Sequence, residues 1–252
     1  MGIDLSGVKA ATLLGRMMRA PLAMLPPDTI LRILQGPTRG MKWIVGASTH
    51  GCWLGSYEYR KRRQFQLVVR PGDVVYDAGA NVGFYSLLSA VLVGPNGHVV
   101  AFEPLPRNLA YLRRHLELNA ISNVTVIASA LGRCPGRARF LEDSSPSMGR
   151  LSTNGSLDVA VSSLDDLVSR ATIPGPNVLK IDIEGGESDA LIGAQAVLAR
   201  CRPLVFLATH GATLHAGCCD LLWRHGYALR SLDNRPIGAT DEILATPSSP
   251  GT

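Results

Sequence analysis

The chain has 252 residues, a hydrophobic fraction of 46% and a formal net charge of +5 at pH 7. A chain of this length predicts one α/β domain with some N-terminal extension, and its apolar fraction is ample for a buried core. No C-x-x-C pair is present, so the composition argues against a zinc site or a disulfide framework and favours reduced thiols in a cytoplasm. The cysteines are Cys52, Cys134, Cys201, Cys218 and Cys219.

Residues 1–70 are predicted to form a helical cap beside the ligand-binding face of the domain. Residues 5–25 are apolar but are interrupted by three basic side chains, so they are too polar to span a bilayer. We expect this segment to pack on the domain as a helix, and an amphipathic helix on a membrane is the alternative. Asp28 is predicted to cap a short helix over residues 28–34.

The next predicted elements are a strand over residues 42–45 and a helix from Ser56 to Val69. The run Arg60-Lys61-Arg62-Arg63 lies in this helix. We interpret it as a solvated helix face, with a patch for an anionic ligand as the alternative. No aromatic side chains alternate with basic ones as a single-strand binder requires, so no nucleic acid partner is expected.

A strand, a glycine turn and a helix follow in immediate succession. The apolar run Val74–Tyr76 predicts a buried strand that ends at Asp77. Gly79-Ala80-Asn81-Val82-Gly83 predicts the turn, and Phe84–Val93 predicts the helix. Such a unit places a nucleotide-like ligand at the N-terminus of the helix.

The turn does not fit a dinucleotide. Asn81 replaces the middle glycine of G-x-G-x-x-G, and Phe84 replaces the third. Asp77 would repel a pyrophosphate, whereas it suits a ligand with a cationic amino group. S-adenosylmethionine has such a group, a sulfonium and no phosphate. The pattern therefore favours S-adenosylmethionine over NAD.

The next predicted strand, residues 98–103, ends in a second acidic residue. Glu103 lies 24 residues beyond Gly79. In nucleotide-binding α/β folds an acid at about this distance binds the ribose hydroxyls. We expect Glu103 to do so through charge-assisted hydrogen bonds of about 1.5–3 kcal/mol each.

The rest of the chain continues to alternate between strands and helices, which predicts a doubly wound, mostly parallel α/β sheet of seven strands. The polar stretch 143–156 is predicted to be a mobile loop and a candidate lid. Residues 71–246 are assigned to the ligand-binding domain and 247–252 to a disordered tail. The remaining predicted helices are 106–118, one beginning at Asp165-Asp166, 187–200 and 221–225, and the remaining strands are 124–128, 138–141, 157–162, 177–182, 203–209, 227–231 and 243–245.

Three blocks resemble the FkbM-type S-adenosylmethionine-dependent methyltransferases, over about residues 50–235. The blocks are Asp77–Gly83, Phe102–Asn108 and Leu179–Glu187, and they stand in the order and spacing of that family. The resemblance implies a class I, Rossmann-like fold whose last strand is antiparallel and inserted between the fifth and sixth. It also implies O-methylation of a small metabolite or a sugar in specialised metabolism.

The same resemblance implies a set of cofactor-binding residues. It places the adenine against the loop after the third strand, where the backbone N–H of Ala130 is available. Asn119 and Ser129 are further candidates in the sequence. The predicted cofactor set is Asp77, Gly79, Asn81, Gly83, Glu103, Pro104, Asn108, Ala130 and Asp182.

The acceptor end is predicted at the carboxyl ends of two neighbouring strands. Asp182 and Glu184 follow one strand, and His210 follows the next. The preferred hypothesis makes His210 a base that is oriented by Asp182 or Glu184. Asp182 as the base is a second hypothesis. A third has Asp182 and Glu184 bind Mg²⁺, although Ile183 between them puts their side chains on opposite faces if the strand continues.

Other polar residues near these strands receive less specific roles. Glu187 is interpreted as a helix-start acid. Lys180 lies in an apolar strand and is expected to form a structural ion pair with a nearby carboxylate. In the cap, four side chains are candidate acceptor contacts: His50, Trp53, Tyr57 and Tyr59.

Three alternatives to O-methylation stay open at the level of the sequence. An N-methyltransferase would need no strong base, because a neutral amine is already nucleophilic. A NAD-dependent oxidoreductase would use the same fold, and a non-catalytic cofactor-binding module would keep the motifs without turnover. The acceptor and the oligomeric state are not specified by these patterns.

Overall fold

The protein is described here as a computed structural model over residues 22–142, 149–151 and 155–248. Its central element is a mixed sheet of seven strands in the order β12-β13-β11-β10-β3-β4-β5. These strands are β3 (Val74–Ala78), β4 (His98–Phe102), β5 (Val124–Ile127), β10 (Val178–Ile181), β11 (Leu204–Ala208), β12 (Tyr227–Ser231) and β13 (Glu242–Pro247).

Eight α-helices are described in these ranges. They are α1 (His50–Leu54), α2 (Tyr59–Val68), α3 (Phe84–Val93), α4 (Pro106–Leu118), α5 (Leu164–Ser169), α6 (Glu187–Ile192), α7 (Gln195–Arg200) and α8 (Ala212–Arg224). The helices cover both faces of the sheet, as a parallel sheet requires. The predicted α/β class is confirmed.

The two faces of the sheet belong to two hydrophobic clusters. Alternate strand residues such as Val75 and Val99 join α3, α4 and the N-terminal segment on one side. Tyr76 and Val100 join α6, α7 and α8 on the other. The central strands are therefore buried on both faces, which explains why they appear in the sequence as continuous apolar runs.

The strand β13 lies between β11 and β12 and is antiparallel to both. The strands from β11 to β5 run parallel to one another. The inserted antiparallel strand that the family resemblance implied is thus confirmed. All five parallel strands end at the same edge, where their carboxyl ends converge on one site.

The predicted helix over residues 28–34 is wrong. Residues Ile30–Arg32 form strand β1, which pairs antiparallel with β2 (Lys42–Ile44). The connection contains Gly36 and Gly40 at φ +90° and +86°, which reverses the chain after Ile33. The pairing of β1 with β2 outweighs the weak local preference of these residues for a helix. Asp28 therefore has no helix to cap.

Two predicted helices differ in extent from the observed ones. The predicted helix 187–200 is divided into α6 and α7 at Gly193. A Cβ at Gly193 would lie 2.1 Å from the carbonyl oxygen of Gly132. The backbone at Gly193 is therefore too close to Gly132 for a residue with a side chain. The predicted helix 221–225 is only the end of α8, which begins at Ala212.

A second, small sheet lies beside the main one in the order β6-β9-β7-β8. It consists of β6 (Ala130–Leu131), β7 (Gly136–Glu142), β8 (Gly149–Leu151) and β9 (Leu157–Ser162). The predicted pairing of 138–141 with 157–162 is confirmed, since β7 and β9 are antiparallel. The predicted loop 143–156 contains β8 instead, and its residues 143–148 and 152–154 lie outside the described residues.

The basic run in α2 is not a uniformly solvated face. Arg60 and Arg63 are exposed, whereas Lys61 and Arg62 are only 5% and 3% exposed. Lys61 contacts carboxylates, and Arg62 Nη1 donates to the carbonyl of Gly55 at 2.5 Å. The prediction of a solvated helix face is therefore wrong for these two residues.

Over the described ranges no helix is both long and apolar enough to cross a membrane. The predicted N-terminal helix 5–25 lies outside the described residues, apart from a 3₁₀ turn at Leu22–Met24. Pro247, the first residue of the predicted tail, is the last residue of β13. Residues 249–252 lie outside the described part.

Candidate active site

A cavity of about 310 Å³ opens at the carboxyl ends of the parallel strands. Four parts of the chain line it: the glycine turn after β3, the segment after β4, residues 129–131 after β5 and the segment after β10. The N-terminal segment closes it on another side with residues that include Thr49, Tyr57 and Glu58. The position is the one at which open α/β sheets bind ligands.

The glycine turn approaches the end of β10 closely. Gly79 has φ +76°, and a Cβ there would lie 1.9 Å from the carbonyl oxygen of Asp182. No side chain fits at this position, because both the space and the backbone conformation exclude one. Asn81 also has a left-handed backbone (φ +51°), and its side-chain oxygen accepts the N–H of Val82 at 2.7 Å.

Glu103 is 4% exposed and lies directly beside this turn. Its Oε2 accepts the N–H of Asn81 at 2.8 Å. Its Oε1 accepts the N–H of Leu105 at 2.9 Å and Nδ2 of Asn108 at 3.4 Å. Burial raises the pKa of the Glu103 carboxyl, although these hydrogen bonds oppose that change. Oε2 accepts one hydrogen bond here and keeps lone-pair capacity for a further donor.

Gly79, Asn81, Glu103, Pro104, Asn108, Ala130 and Asp182 of the predicted cofactor set line the cavity. Gly83 and Asp77 do not. Gly83 takes φ +96° at the start of α3, where a Cβ would meet Leu112. Asn119, a further candidate, instead binds the backbone of Lys42 in β2.

Asp77 is fully buried and already has a cationic partner. Lys180 Nζ lies 3.0 Å from Asp77 Oδ1, and Ser86 Oγ donates to Oδ2 at 2.7 Å. The two residues face each other in the register of β3 and β10. The predicted structural ion pair of Lys180 is thereby confirmed. Lys180 Nζ also donates to the carbonyl of Gly79 at 3.1 Å, so the ion pair is joined to the turn. The charge of Asp77 that was predicted to attract a cation is neutralised by Lys180.

The acceptor end contains the group Asp182, Glu184 and His210. Nε2 of His210 lies 3.2 Å from Glu184 Oε2 and 3.9 Å from Asp182 Oδ1. Asp182 and Glu184 line the cavity, whereas His210 stands behind them. The other ring nitrogen of His210, Nδ1, lies 2.7 Å from Oε1 of Glu187. The orienting partner of His210 is therefore Glu187, which is fully buried.

The charges at this end shift several pKa values. The hydrogen bond from Glu187, with the nearby Glu184 and Asp182 carboxylates, raises the pKa of His210 to about 9 despite partial burial. Burial would raise the pKa of Asp182, but the ammonium groups of Lys61 and Lys180 outweigh it and hold this pKa below its usual range. Near pH 7 Asp182 is ionised and His210 is protonated.

Lys61 connects the N-terminal segment to the acceptor end. Its ammonium lies 3.0 Å from Asp182, 3.1 Å from Glu242 and 3.3 Å from Glu58. Burial lowers the pKa of Lys61, yet these three carboxylates raise it above its usual value. Glu58 lines the cavity, has φ +43° and accepts the Tyr85 hydroxyl at 2.8 Å.

Among the candidate acceptor contacts, only Tyr57 lines the cavity. Its ring packs edge-on against Phe84 at 5.0 Å. Trp53 is buried in the core and donates to Nδ1 of His50 at 3.2 Å, so both serve the local packing of α1. Tyr59 lies under the guanidinium of Arg62, 5.3 Å from its ring centre.

Sequence reasoning missed Glu58, Lys61 and the role of Glu187. Glu58 and Lys61 stand in a run of charges that looks like a solvent-exposed face, and Glu187 occupies a position that favours any acid. Their roles depend on contacts with residues more than 20 positions away, as in the bond of Lys61 to Asp182. The one local signal was Lys61 itself, because a buried lysine requires an acidic partner.

An S-adenosylmethionine molecule fits the polar groups that the cavity presents. The Ser129 hydroxyl is buried and has no hydrogen-bond partner within the described ranges, although Ser129 lines the cavity. It stands beside Ala130, where the adenine is expected. Glu103 offers carboxylate capacity for the ribose, and Gly79 lines the same cavity.

Comparison with known proteins gives the family. Residues 77–229 match the Methyltransferase FkbM domain. The hexuronic acid methyltransferase AglP of Haloferax volcanii is 32% identical over 123 residues, covering 48% of this chain and 49% of that protein. The 31-O-demethyl-FK506 methyltransferase FkbM of Streptomyces tacrolimicus is 29% identical over 160 residues, covering 50% of this chain and 61% of that protein. The chain thus spans about half of the length of these curated relatives.

A solved structure supports the fold. The crystal structure of a methyltransferase FkbM from Methylobacillus flagellatus superposes with a TM-score of 0.50 at 21% identity, covering 79% of this chain and 55% of that one. This likeness concerns the fold alone. Since the family match covers more than half of the chain and falls on the residues that build the cavity, the chain belongs to the FkbM family of S-adenosylmethionine-dependent methyltransferases.

Proposed function

We propose that this protein transfers a methyl group from S-adenosylmethionine to a hydroxyl of a small metabolite or a sugar. The observation that carries the proposal is that Glu103 and Asp182 line the same cavity. One carboxylate suits the cofactor ribose, and the other lies at the end where an acceptor would enter. The names of two relatives, one a hexuronic acid methyltransferase and one with a 31-O position, favour an oxygen acceptor.

The cofactor supplies an activated methyl group on a sulfonium. Glu103, Asn81, Ser129 and Ala130 would hold it along the floor of the cavity. The chain's main contribution is then to align the acceptor oxygen, and such positioning supplies about 7–11 kcal/mol in favourable cases.

Asp182, Glu184 and His210 are the proposed acceptor group. Asp182 is ionised, lines the cavity and is held by Lys61, so it can accept the hydrogen bond of the acceptor hydroxyl. His210 is the proposed proton acceptor. Because the pKa of His210 is about 9, the neutral imidazole that can accept a proton is the main form only at alkaline pH. The proton would reach Nε2 by way of Glu184, which lies 3.2 Å away.

The cofactor class is tested by calorimetric titration of the full chain with S-adenosylhomocysteine and, separately, with NADH. We expect saturable binding of S-adenosylhomocysteine and none of NADH. The reverse result in folded protein would establish the oxidoreductase alternative and reject the proposal.

The acceptor class is tested with radiolabelled S-adenosylmethionine and a panel of sugars, uronic acids, polyketide alcohols and primary amines. We expect label in at least one alcohol and a strong loss in Asp182→Asn. Asp189→Asn, which changes an exposed side chain on helix α6, is the control. Label in amines alone, retained in Asp182→Asn, would support N-methylation. Cofactor binding without any transfer across the panel would support a binding module.

A further inference from the structure

We propose that Asp182, Glu184 and His210 bind a divalent metal ion at the acceptor end of the cavity. One ligand atom from each of the three side chains lies within 4.8 Å of the others. Metal–ligand bonds of about 2.1 Å place neighbouring ligand atoms about 3.0 Å apart in an octahedron and opposite ones about 4.2 Å apart. The distance from Nε2 of His210 to Glu184, 3.2 Å, is close to the first of these spacings, and the distance to Asp182, 3.9 Å, lies between the two.

The course of the backbone brings the two carboxylates together. In a continued strand, Ile183 would place the side chains of Asp182 and Glu184 on opposite faces. The strand β10 ends at Ile181, and Glu184 and Gly185 take φ +56° and +101°. The chain therefore turns directly after the strand, and both carboxylates face the end of β11, where His210 stands. The geometric objection that the sequence raised against a metal site does not apply.

Each of two ligands is held by a partner outside the group. Lys61 binds Oδ2 of Asp182 at 3.0 Å, so Oδ1 is the atom directed toward His210. Glu187 binds Nδ1 of His210 at 2.7 Å. In the tautomer that donates this hydrogen bond, Nε2 presents its lone pair to the two carboxylates. A carboxylate behind a histidine is the usual support of a metal-binding imidazole.

Glu187 provides a separate indication that a cation belongs here. Its side chain is fully buried, and its Oε2 has no hydrogen-bond partner in the described part of the chain. A buried carboxylate with an unsatisfied oxygen is costly unless positive charge lies close to it. The His210 ring supplies that charge, either from a metal ion at Nε2 or from a proton there, and titration with MnCl₂ distinguishes the two.

The ligand set favours one class of ion. Two carboxylates and one imidazole suit manganese, iron or zinc better than magnesium, which prefers oxygen ligands alone. Three protein ligands leave coordination positions open, as in catalytic metal sites. Since Asp182 and Glu184 line the cavity, the open positions face the acceptor.

The role of the ion rests on the proposed function. A hydroxyl bound to a divalent ion would have a lowered pKa, so it could release its proton to solvent water without a strong protein base. The acceptor oxygen would then take the methyl group from the sulfonium, and S-adenosylhomocysteine would leave. The ion would also fix the acceptor oxygen in place. With the ion bound, His210 is a ligand and no longer the proton acceptor, and Glu187 is its positioning residue.

The test is a titration of the full chain, freed of metal with EDTA, with MnCl₂ alone. The free Mn²⁺ signal in electron paramagnetic resonance reports binding, and pulsed spectra report nitrogen coupled to the bound ion. We expect one saturable site per chain with a ¹⁴N coupling. Glu184→Gln and Glu187→Gln should weaken Mn²⁺ binding at least tenfold, and His210→Asn should also remove the nitrogen coupling.

The matched control is Asp189→Asn, an exposed acid in the same helix as Glu187, which should leave Mn²⁺ affinity unchanged. S-adenosylhomocysteine binding and thermal unfolding are measured on every variant, so a folded protein is verified each time. Absence of saturable Mn²⁺ binding in protein that binds S-adenosylhomocysteine overturns the metal site and leaves a proton on His210 as the balancing charge. Mn²⁺ binding without S-adenosylhomocysteine binding would instead reject the proposed function and keep the site.

Discussion

The carboxylate of Glu103 shapes the cofactor turn and also faces the cavity. It accepts backbone N–H groups from Asn81 and Leu105, and it is nearly inaccessible to solvent. We predict that Glu103→Ala weakens S-adenosylhomocysteine binding at least tenfold, because it removes the acceptor for the ribose hydroxyls. A tenfold loss equals about 1.4 kcal/mol. Calorimetric titration at one temperature measures it.

A control separates the loss of ribose contacts from distortion of the turn. Glu103→Gln keeps one oxygen acceptor but removes the charge, so we expect an intermediate affinity and a smaller change in thermal unfolding. If Glu103→Ala binds S-adenosylhomocysteine as tightly as the wild type, the ribose does not lie on this residue.

His115 makes stability depend on pH in a defined window. Its ring is fully buried, stacks on Trp43 at 4.0 Å, accepts the N–H of Ile44 and lies 2.8 Å from the carbonyl of Val82. Burial lowers its pKa to about 4. The unfolded chain, with a value near 6.5, therefore binds the proton more readily, so stability is complete above pH 6.5 and falls as pH drops toward 4.

We predict that this residue contributes a loss of up to about 3 kcal/mol between pH 6.5 and pH 4. Urea unfolding at several pH values measures it. His115→Gln should have a smaller dependence over this window, whereas His98→Gln, at the partly exposed start of β4, should resemble the wild type. An identical slope in wild type and His115→Gln would show that the acid sensitivity lies elsewhere.

At the scale of elements, helix α2 is held to the sheet by one buried cation. Lys61 is shared by Glu58, by Asp182 at the end of β10 and by Glu242 in β13. Removing one partner of a buried ion pair leaves the others uncompensated and costs about 3–5 kcal/mol in measured cases. We predict that Lys61→Met lowers the free energy of unfolding by about 3 kcal/mol, whereas Arg60→Met on the exposed side changes it little.

Chemical denaturation at pH 7.5 measures both variants. A loss for Lys61→Met no larger than that for Arg60→Met would mean that the three carboxylates are solvated in solution. In that case the low pKa of Asp182 would need another cause.

The elements that the sequence predicted well are those whose environment is uniform. Strands β3, β4, β10 and β11 are buried on both faces, so continuous apolar runs identify them. Helix α4 matches its predicted range because Leu109, Leu112 and Leu116 lie on one buried face. Strand β2 was predicted, but its partner β1 was predicted as a helix, because the pairing depends on contacts of the hairpin with α4 and the core, which local preference does not encode.

The site was predictable where spacing along the chain carries the geometry. Glu103 follows from its distance to the glycine turn, and the ends of parallel strands place Asp182 and His210 side by side. The partners of these residues were not predictable. Glu187 reaches the acceptor end from the start of helix α6, and Lys61 reaches it from a different segment of the chain. The contact between Glu187 and His210 becomes visible only in the three-dimensional structure.

For the whole molecule, the N-terminal segment and the sheet share one hydrophobic core. Trp43, Trp53 and Phe65 belong to the same cluster as Val75 and Phe84. The ring of Phe65 lies 5.1 Å from Phe206 in the middle of the sheet. The division into a cap over residues 1–70 and a domain over 71–246 stays a prediction from the sequence. The shared packing bears on whether residues 71–246 can fold without the N-terminal segment.

We predict that a fragment of residues 71–252 does not fold cooperatively. It would expose the apolar face of α3, including Phe84 and Tyr85, which Tyr57 and Phe65 now cover. It would also leave Asp182 and Glu242 without Lys61. The matched control is a fragment of residues 22–252, which keeps these contacts and should unfold in one transition. If the shorter fragment instead unfolds cooperatively and binds S-adenosylhomocysteine, the N-terminal segment is an independent cap, and the contacts of Lys61 serve the acceptor end rather than the fold.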